Sequence, residues 1–228
     1  MTLRVGGDGH LEVAEGADAG GQLGAVGIAA RMRRVGGAGA GRRIAASGVS
    51  ADALTVGGFV LGLAAAVAIG CGLFLAGLGL LALNRIADGL DGAVARASAK
   101  TDRGGFLDIV LDFAIYGAIP FAFAVADPTR NALAGAALLL SFYVNGASFL
   151  AFAIFAERRG LETTAQGSKS LFYQGGLAEG GETIAAFVLM CLVPAWFPAI
   201  AWTFAGVCLV SAAARVVLAA RTLSDRAG

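Results

Sequence analysis

The chain has 228 residues, of which 57% are hydrophobic and only 14% are charged, and its formal net charge is +1. A water-soluble domain of this size has about a quarter of its residues charged, so this composition excludes one and indicates an integral membrane protein. The single histidine, His10, and three isolated cysteines exclude a zinc site and a Ser-His-Asp triad. Any catalytic or metal-binding role is therefore expected of Asp and Glu carboxylates.

Residues 1–45 form a leader that is rich in Gly and Ala, with acidic residues early and arginines late. A secretory signal peptide has the reverse order, because its positive charge precedes an uninterrupted apolar stretch. We therefore predict a poorly ordered cytoplasmic leader, followed by a membrane domain over residues 46–228.

Apolar stretches long enough to cross a bilayer recur from about Ser50 onward, separated by short polar joints. Backbone polar groups in lipid must be satisfied within the segment, and the alternating pattern of a membrane barrel is missing, so we predict an all-α integral membrane protein with six transmembrane helices. The predicted spans cover residues 53–70, 71–87, 105–126, 131–155, 182–197 and 199–218.

The distribution of Lys and Arg predicts the orientation of these spans. If the leader lies inside the cell, every one of the 17 Lys and Arg residues except Arg130 falls on or near the cytoplasmic side. Both termini are then predicted to be cytoplasmic.

Four aspartates lie at the cytoplasmic ends of the second and third predicted spans. Asp88 and Asp91 share one face of the second helix, and Asp108 precedes Asp112 by four residues, or about one turn, on the third. Packing the two helices together is expected to bring all four carboxylates together. One alternative is a polar cluster that only packs helices, and another is a set of acids at the wet ends of their helices.

Each ionised aspartate placed in hydrocarbon costs about 2.5–3.5 kcal/mol, so a cation is expected among the four. Arg96 cannot neutralise four charges, and ligation by carboxylate oxygens alone suits Mg²⁺ or Mn²⁺. The small residues Gly92, Ala95 and Gly104 leave room beside the helix backbone for a bulky polar ligand.

The order Asp-x-x-Asp-Gly-x-x-Ala-Arg, seven residues, then Gly-x-x-x-Asp-x-x-x-Asp resembles the signature of the class I CDP-alcohol phosphatidyltransferase family. Every fixed position of that signature is filled, by Asp88, Asp91, Gly92, Ala95, Arg96, Gly104, Asp108 and Asp112. The six-span layout is similar to that of small bacterial inner-membrane members, so the resemblance covers about residues 50–222.

The resemblance implies a polar active-site cavity that faces the cytoplasm, in a bacterial inner-membrane protein that forms a homodimer. The implied reaction transfers a phosphatidyl group from CDP-diacylglycerol to an alcohol acceptor and releases CMP, as a step of phospholipid biosynthesis. A phospho-alcohol and a lipid alcohol both remain open as acceptors.

The resemblance also implies a role for each matching residue. Two Mg²⁺ or Mn²⁺ ions would be held by the four aspartates, and Asp112 would also act as the general base. The cytidine nucleotide would pack against Gly92, Ala95, Arg96 and Gly104, and Thr55 is a further nucleotide candidate.

Candidates for binding the acceptor are Lys169, Glu179, Glu182 and Arg215. Arg215 lies about one turn inside the sixth predicted helix, where it either binds the acceptor or extends its side chain to the headgroups. Glu179 and Glu182 either bind the acceptor, pair with Arg215 or Lys169, or stabilise the N-terminus of a helix, where the helix dipole is positive.

A divalent-cation transporter is the alternative function, since acids inside a membrane often mark ion paths. The clustering of the aspartates at one membrane face disfavours it.

Overall fold

A computed structural model of the chain describes residues 3–5, 11–13, 50–97, 101–159 and 180–224. Two short strands, β1 (Leu3–Val5) and β2 (Leu11–Val13), pair antiparallel, with Leu3 opposite Val13. The predicted poorly ordered leader thus contains one strand pair, and its other residues lie outside the described ranges. The boundary at residue 45 stays a prediction.

Six α-helices follow in the described part of the chain, and each predicted span corresponds to one of them. They are α1 (Ala51–Gly70), α2 (Phe74–Ala97), α3 (Asp102–Ala126), α4 (Pro128–Arg158), α5 (Gly180–Leu192) and α6 (Phe197–Ser224).

Local sequence explains where several helices begin and end. Ser50 and Thr101 cap α1 and α3, because their hydroxyls accept hydrogen bonds from the backbone N–H groups of Ala53 (3.2 Å) and Gly104 (3.1 Å). The turn between α1 and α2 needs the positive φ of Gly72, 79°, which side-chain-bearing residues rarely adopt.

Four stretches are long and apolar enough to cross a bilayer, namely α1, α3, α4 and the segment Pro194–Ser224. The six-span count therefore stays a prediction. Helix α2 carries several charges in its second half, and α5 has only 13 residues, or about 20 Å. The fifth predicted span ends early because Pro194 disfavours helix in the residue before it, and a 3₁₀ turn, Pro194–Trp196, follows.

Small and aromatic residues pack the helices around one core. Helix α1 packs along α2 and α3, and α4 packs along α3 and α6. Phe123 of α3 stacks between Phe74 and Phe197, with ring centroids 5.5 and 4.6 Å away. A Cβ on Gly62 would lie 2.5 Å from Ile115 Cδ1, so glycine is what permits α1 to approach α3 so closely.

Candidate active site

The aspartates of α2 and α3 meet at the end of the bundle where α2 ends and α3 begins. Asp88, Asp108 and Asp112 each offer a carboxylate oxygen, and these oxygens lie within 4.8 Å of one another. Asp88 and Asp112 keep 37% and 29% of their side-chain surface exposed. The predicted convergence of α2 and α3 is therefore observed for three of the four aspartates.

The fourth aspartate, Asp91, lines the same cavity but is turned toward α1. Its Oδ2 accepts a hydrogen bond of 2.6 Å from the hydroxyl of Thr55. The family resemblance predicts Thr55 near the nucleotide, and its observed contact is with this carboxylate. The hydroxyl orients Asp91, because the bond fixes one of its two oxygens.

Arg85 is the cation that the structure places among the aspartates. Its Nη2 donates to Asp112 Oδ1 at 2.8 Å, and its Nη1 lies 3.6 Å from Asp88 Oδ2. The side chain is 19% exposed, so this charge-assisted contact is partly shielded from water.

Asn84 holds Arg85 in this position. The Asn84 Oδ1 accepts a 2.8 Å hydrogen bond from Arg85 Nε, and its Nδ2 donates to the carbonyl oxygen of Gly58, also at 2.8 Å. A chain of polar contacts thus runs from the α1 backbone through Asn84 and Arg85 to Asp112.

The sequence analysis assigns no site role to Asn84 or Arg85. It counts Arg85 only among the positive charges that indicate orientation in the membrane. The available signal was its position three residues before Asp88, which puts the two side chains on one helix face. The contact with Asp112, 27 residues away, depends on how α2 packs against α3.

These residues surround a small cavity of about 10 Å³, which has room for about one water-sized group. Its walls come from α1, α2 and α3 and include Thr55, Asn84, Arg85 and all four aspartates. The cavity is polar on the side of the carboxylates, and Phe59, Leu111 and Ile115 close its apolar side.

The structure describes only some of the residues that are predicted to pack against the cytidine nucleotide. Gly92 and Ala95 lie half-buried on α2, whereas the side chain of Arg96 lies outside the described portion. A Cβ on Gly104 would lie 3.1 Å from Thr101 Oγ1 and 3.3 Å from Asp52 Oδ1, so this glycine keeps the start of α3 close to α1.

Arg215 lies on α6 at a second cavity and is only 6% exposed. Its Nη1 donates to the side chain and backbone oxygens of Asn145, at 3.0 and 3.1 Å, and to Ser148 Oγ at 2.8 Å. It also lies over the Phe149 ring, 5.6 Å from the centroid. The side chain therefore points into the helix bundle, where it joins α6 to α4.

The other predicted acceptor residues are placed only in part. Glu182 lies exposed in the first turn of α5. Lys169 and Glu179 lie outside the described residues, so their relation to Arg215 stays a prediction.

Comparisons with known proteins agree with this architecture. The fold is similar to the crystal structure of phosphatidylinositol phosphate synthase (PgsA1) of Mycobacterium tuberculosis with CDP-DAG bound, with a TM-score of 0.59 and 19% identity over 80% of this chain and 92% of that one. No family model matches the chain. The inner membrane protein YnjF of Escherichia coli (strain K12) is 48% identical over 158 residues, which are 69% of this chain and 77% of that protein. This chain belongs to the same family as that Escherichia coli inner membrane protein, and it shares its fold with the phosphatidylinositol phosphate synthase.

The fold that the chain shares with a phosphatidylinositol phosphate synthase raises the question of whether the site suits divalent metal. Asp88, Asp108 and Asp112 supply oxygen ligands from two rigid helices, close enough to share an ion, and Asp91 lies in the same cavity. Oxygen ligands of this kind are the ones that Mg²⁺ and Mn²⁺ prefer. The residues present therefore fit such a metal site.

Proposed function

We propose that the chain transfers a phosphatidyl group from CDP-diacylglycerol to an alcohol and releases CMP, a phosphotransferase reaction of phospholipid biosynthesis. The observation that carries the proposal is the convergence of Asp88, Asp108 and Asp112 from two helices of a phosphatidyltransferase fold. Their place at one end of the bundle suits a donor whose acyl chains lie in lipid and whose nucleotide lies in water.

The chain's own residues account for binding of the donor. Gly92 and Ala95 let a cytidine nucleotide approach the backbone of α2, with Arg96 beside its phosphates. Gly104, which keeps the start of α3 close to α1, would complete this surface. Two divalent ions, when held by the four aspartates, would neutralise the charge that grows on the pyrophosphate.

Asp112 is the proposed general base. Arg85 occupies its Oδ1, which leaves Oδ2 to accept the proton of the acceptor hydroxyl. The hydroxyl oxygen attacks the lipid-side phosphorus, a new P–O bond forms, and the bond from that phosphorus to the CMP oxygen breaks. CMP leaves with the electron pair.

Replacement of this base tests the proposal. Purified protein with CDP-diacylglycerol, Mg²⁺ and a panel of alcohols is expected to release CMP, measured by chromatography. Asp112→Asn is expected to reduce the rate roughly 100-fold or more, because a positioned base contributes at least that much. Asp102→Asn, an exposed acid on the same helix, is the control and is expected to keep the rate.

Two results would contradict these assignments. Undiminished CMP release by Asp112→Asn would refute Asp112 as the base. Metal flux through proteoliposomes, without CMP release from any alcohol, would favour the divalent-cation transporter.

We further propose that the protein lies in the bacterial inner membrane with both termini in the cytoplasm. The similarity to an inner membrane protein of Escherichia coli and the apolar helices support this placement. The homodimer stays a prediction from the family resemblance, and light scattering of the detergent-solubilised protein would reveal a monomer if it is wrong.

A further inference from the structure

A second, larger cavity adjoins the aspartate site and has a different character. Its volume is about 550 Å³, and it lies between α3, α4, α5 and α6. Five aromatic side chains line it, namely Phe113, Tyr116, Phe142, Tyr143 and Phe149. A cavity of this size and lining suits a ligand with a substantial apolar part.

The cavity is adjacent to the proposed base. Asp112 faces the smaller cavity, and the next residue on α3, Phe113, lines the larger one. Tyr116, one helical turn beyond Asp112, also lines the larger cavity. The linings of the two cavities therefore include consecutive residues of α3, Asp112 and Phe113.

The polar groups of the larger cavity lie at the level of Asp112. A Cβ on Gly146 of α4 would overlap the Phe113 ring, so this part of α4 packs against α3 next to Asp112. The neighbouring residue, Asn145, accepts hydrogen bonds from Arg215. A buried positive charge thus marks the end of the cavity that is nearest the base.

The opposite end of the cavity is apolar and lies deeper in the bundle. Leu139 precedes Gly146 on α4 by seven residues, about 10 Å, and its Cδ2 lies 3.8 Å from the position of a Cβ on Gly117. Phe142 and Cys208 line the same region. Polarity therefore falls along the cavity in the direction in which an amphiphile lies in a bilayer.

The cavity opens toward the surface of α4, where Tyr143 is 76% exposed and Phe149 is 47% exposed. Helix α4 is one of the helices apolar enough to cross a bilayer, so its outer surface is the one that lipid would contact. A lipid could enter sideways from the bilayer.

We propose that this cavity binds the acceptor, and that the acceptor is a membrane-borne alcohol with an anionic group beside its reacting hydroxyl. The aromatic walls bind its apolar part, Arg215 attracts the anionic group, and the hydroxyl reaches Asp112. The inference rests on the proposed transferase function and names the acceptor class for that same site.

The test compares two acceptors with the same polar part. Phosphatidylglycerol in mixed micelles and glycerol 3-phosphate in water both carry a hydroxyl near a phosphate, and only the first carries acyl chains. With CDP-diacylglycerol and Mg²⁺, we expect phosphatidylglycerol to give the higher kcat/KM for CMP release. Diacylglycerol, a lipid alcohol without the anionic group, is expected to be the poorer lipid acceptor.

A variant that fills the cavity separates the acceptor from the donor. Gly117→Phe places a ring in the cavity and is expected to raise the KM for phosphatidylglycerol roughly tenfold or more, with the KM for CDP-diacylglycerol unchanged. Gly206→Phe is the matched control, because this exposed glycine of α6 has open space around it.

A second variant and a binding measurement test the inference even if Gly117→Phe fails to fold. Tyr143→Ala removes an exposed ring from the mouth of the cavity and is expected to raise the same KM several-fold without affecting folding. Native mass spectrometry without donor is expected to show bound phosphatidylglycerol in the wild type and in Gly206→Phe, and less of it in Gly117→Phe.

Three outcomes would overturn the inference while the proposed function stands. They are CMP release with glycerol 3-phosphate at equal or higher kcat/KM, unchanged kinetics in both cavity variants, and a rise in KM for CDP-diacylglycerol instead of the acceptor. The last would assign the cavity to the donor's acyl chains. Absence of CMP release with every acceptor tested would instead count against the proposed function.

Discussion

At the scale of single residues, charge balance at the site depends on Arg85. The carboxylates of Asp88, Asp108 and Asp112 repel one another, and the guanidinium of Arg85 offsets part of that repulsion through its contacts with two of them. Bound divalent ions would offset the same repulsion more strongly. Arg85 and metal therefore stabilise the same three side chains.

This shared role predicts how Arg85→Gln changes stability. Loss of the charged hydrogen bonds is expected to lower the free energy of unfolding of the metal-free protein by about 1.5–3 kcal/mol. Added Mg²⁺ is expected to restore more of the Tm in the variant than in the wild type, because within the described residues Arg85 is the cation that contacts these carboxylates. Thermal unfolding in detergent, with EDTA or with Mg²⁺, measures both effects.

Arg103→Gln is the matched control, since Arg103 is 79% exposed and its Nε lies 3.5 Å from Asp52 outside the cluster. Exposed pairs of this kind contribute little to stability. An equal loss of Tm in the two variants, or no greater response to Mg²⁺ in Arg85→Gln, would contradict the role of Arg85.

At the scale of secondary-structure elements, small residues set the distance between α1 and its neighbours. Gly58 faces Ala87 of α2, where an added Cβ would lie 3.1 Å from the Ala87 Cβ, and Gly62 faces Ile115 of α3. The GxxxG spacing in α1 thus serves two different helix contacts within one chain. The aspartate site depends on this packing, since Gly58 also accepts the hydrogen bond from Asn84.

Gly62→Leu is therefore expected to be destabilising. The larger side chain overlaps Ile115, and overpacking of this kind costs about 1–3 kcal/mol. Gly57→Leu, five residues earlier on the exposed face of α1, is the control because nothing lies within 4 Å of its added Cβ. Denaturant unfolding of both variants in micelles would reveal equal stability if the contact is unimportant.

At the scale of the whole molecule, alternation of helix direction gathers the polar groups at one end. The start of α1 and α3 and the end of α2, α4 and α6 lie together, as the contacts of Thr55 with Asp91 and of Arg159 with the α6 carbonyls of Thr222 and Leu223 show. At the other end, Arg130 donates to the carbonyl oxygen of Ala195. The aspartates and Arg130 thus mark opposite ends of the bundle.

The orientation in the membrane gives a prediction that uses a native cysteine. Cys71 is exposed in the turn between α1 and α2, at the end away from the aspartates, whereas Cys191 and Cys208 are buried. In intact spheroplasts, a membrane-impermeant maleimide is expected to label Cys71. The double variant Cys71→Ser, Asp102→Cys is expected to be labelled only after lysis, and labelling in the reverse order would invert the proposed orientation.

The sequence by itself determined which segments are helical and which carboxylates converge. Long apolar runs leave the backbone no alternative to helix in lipid, so each predicted span has its counterpart among α1 to α6. The spacing within α2 and within α3 placed Asp88, Asp108 and Asp112 on converging faces, because helical periodicity is a local property.

Only the tertiary structure decided which partners those residues have. Asp91 faces Thr55, Arg85 faces Asp112, and Arg215 is held by α4, and each contact joins residues at least 27 positions apart. Such contacts depend on the crossing of two helices and on the small residues between them, which periodicity along one helix does not specify. The same packing leaves the aromatic cavity beside Asp112, whose walls come from four separate helices.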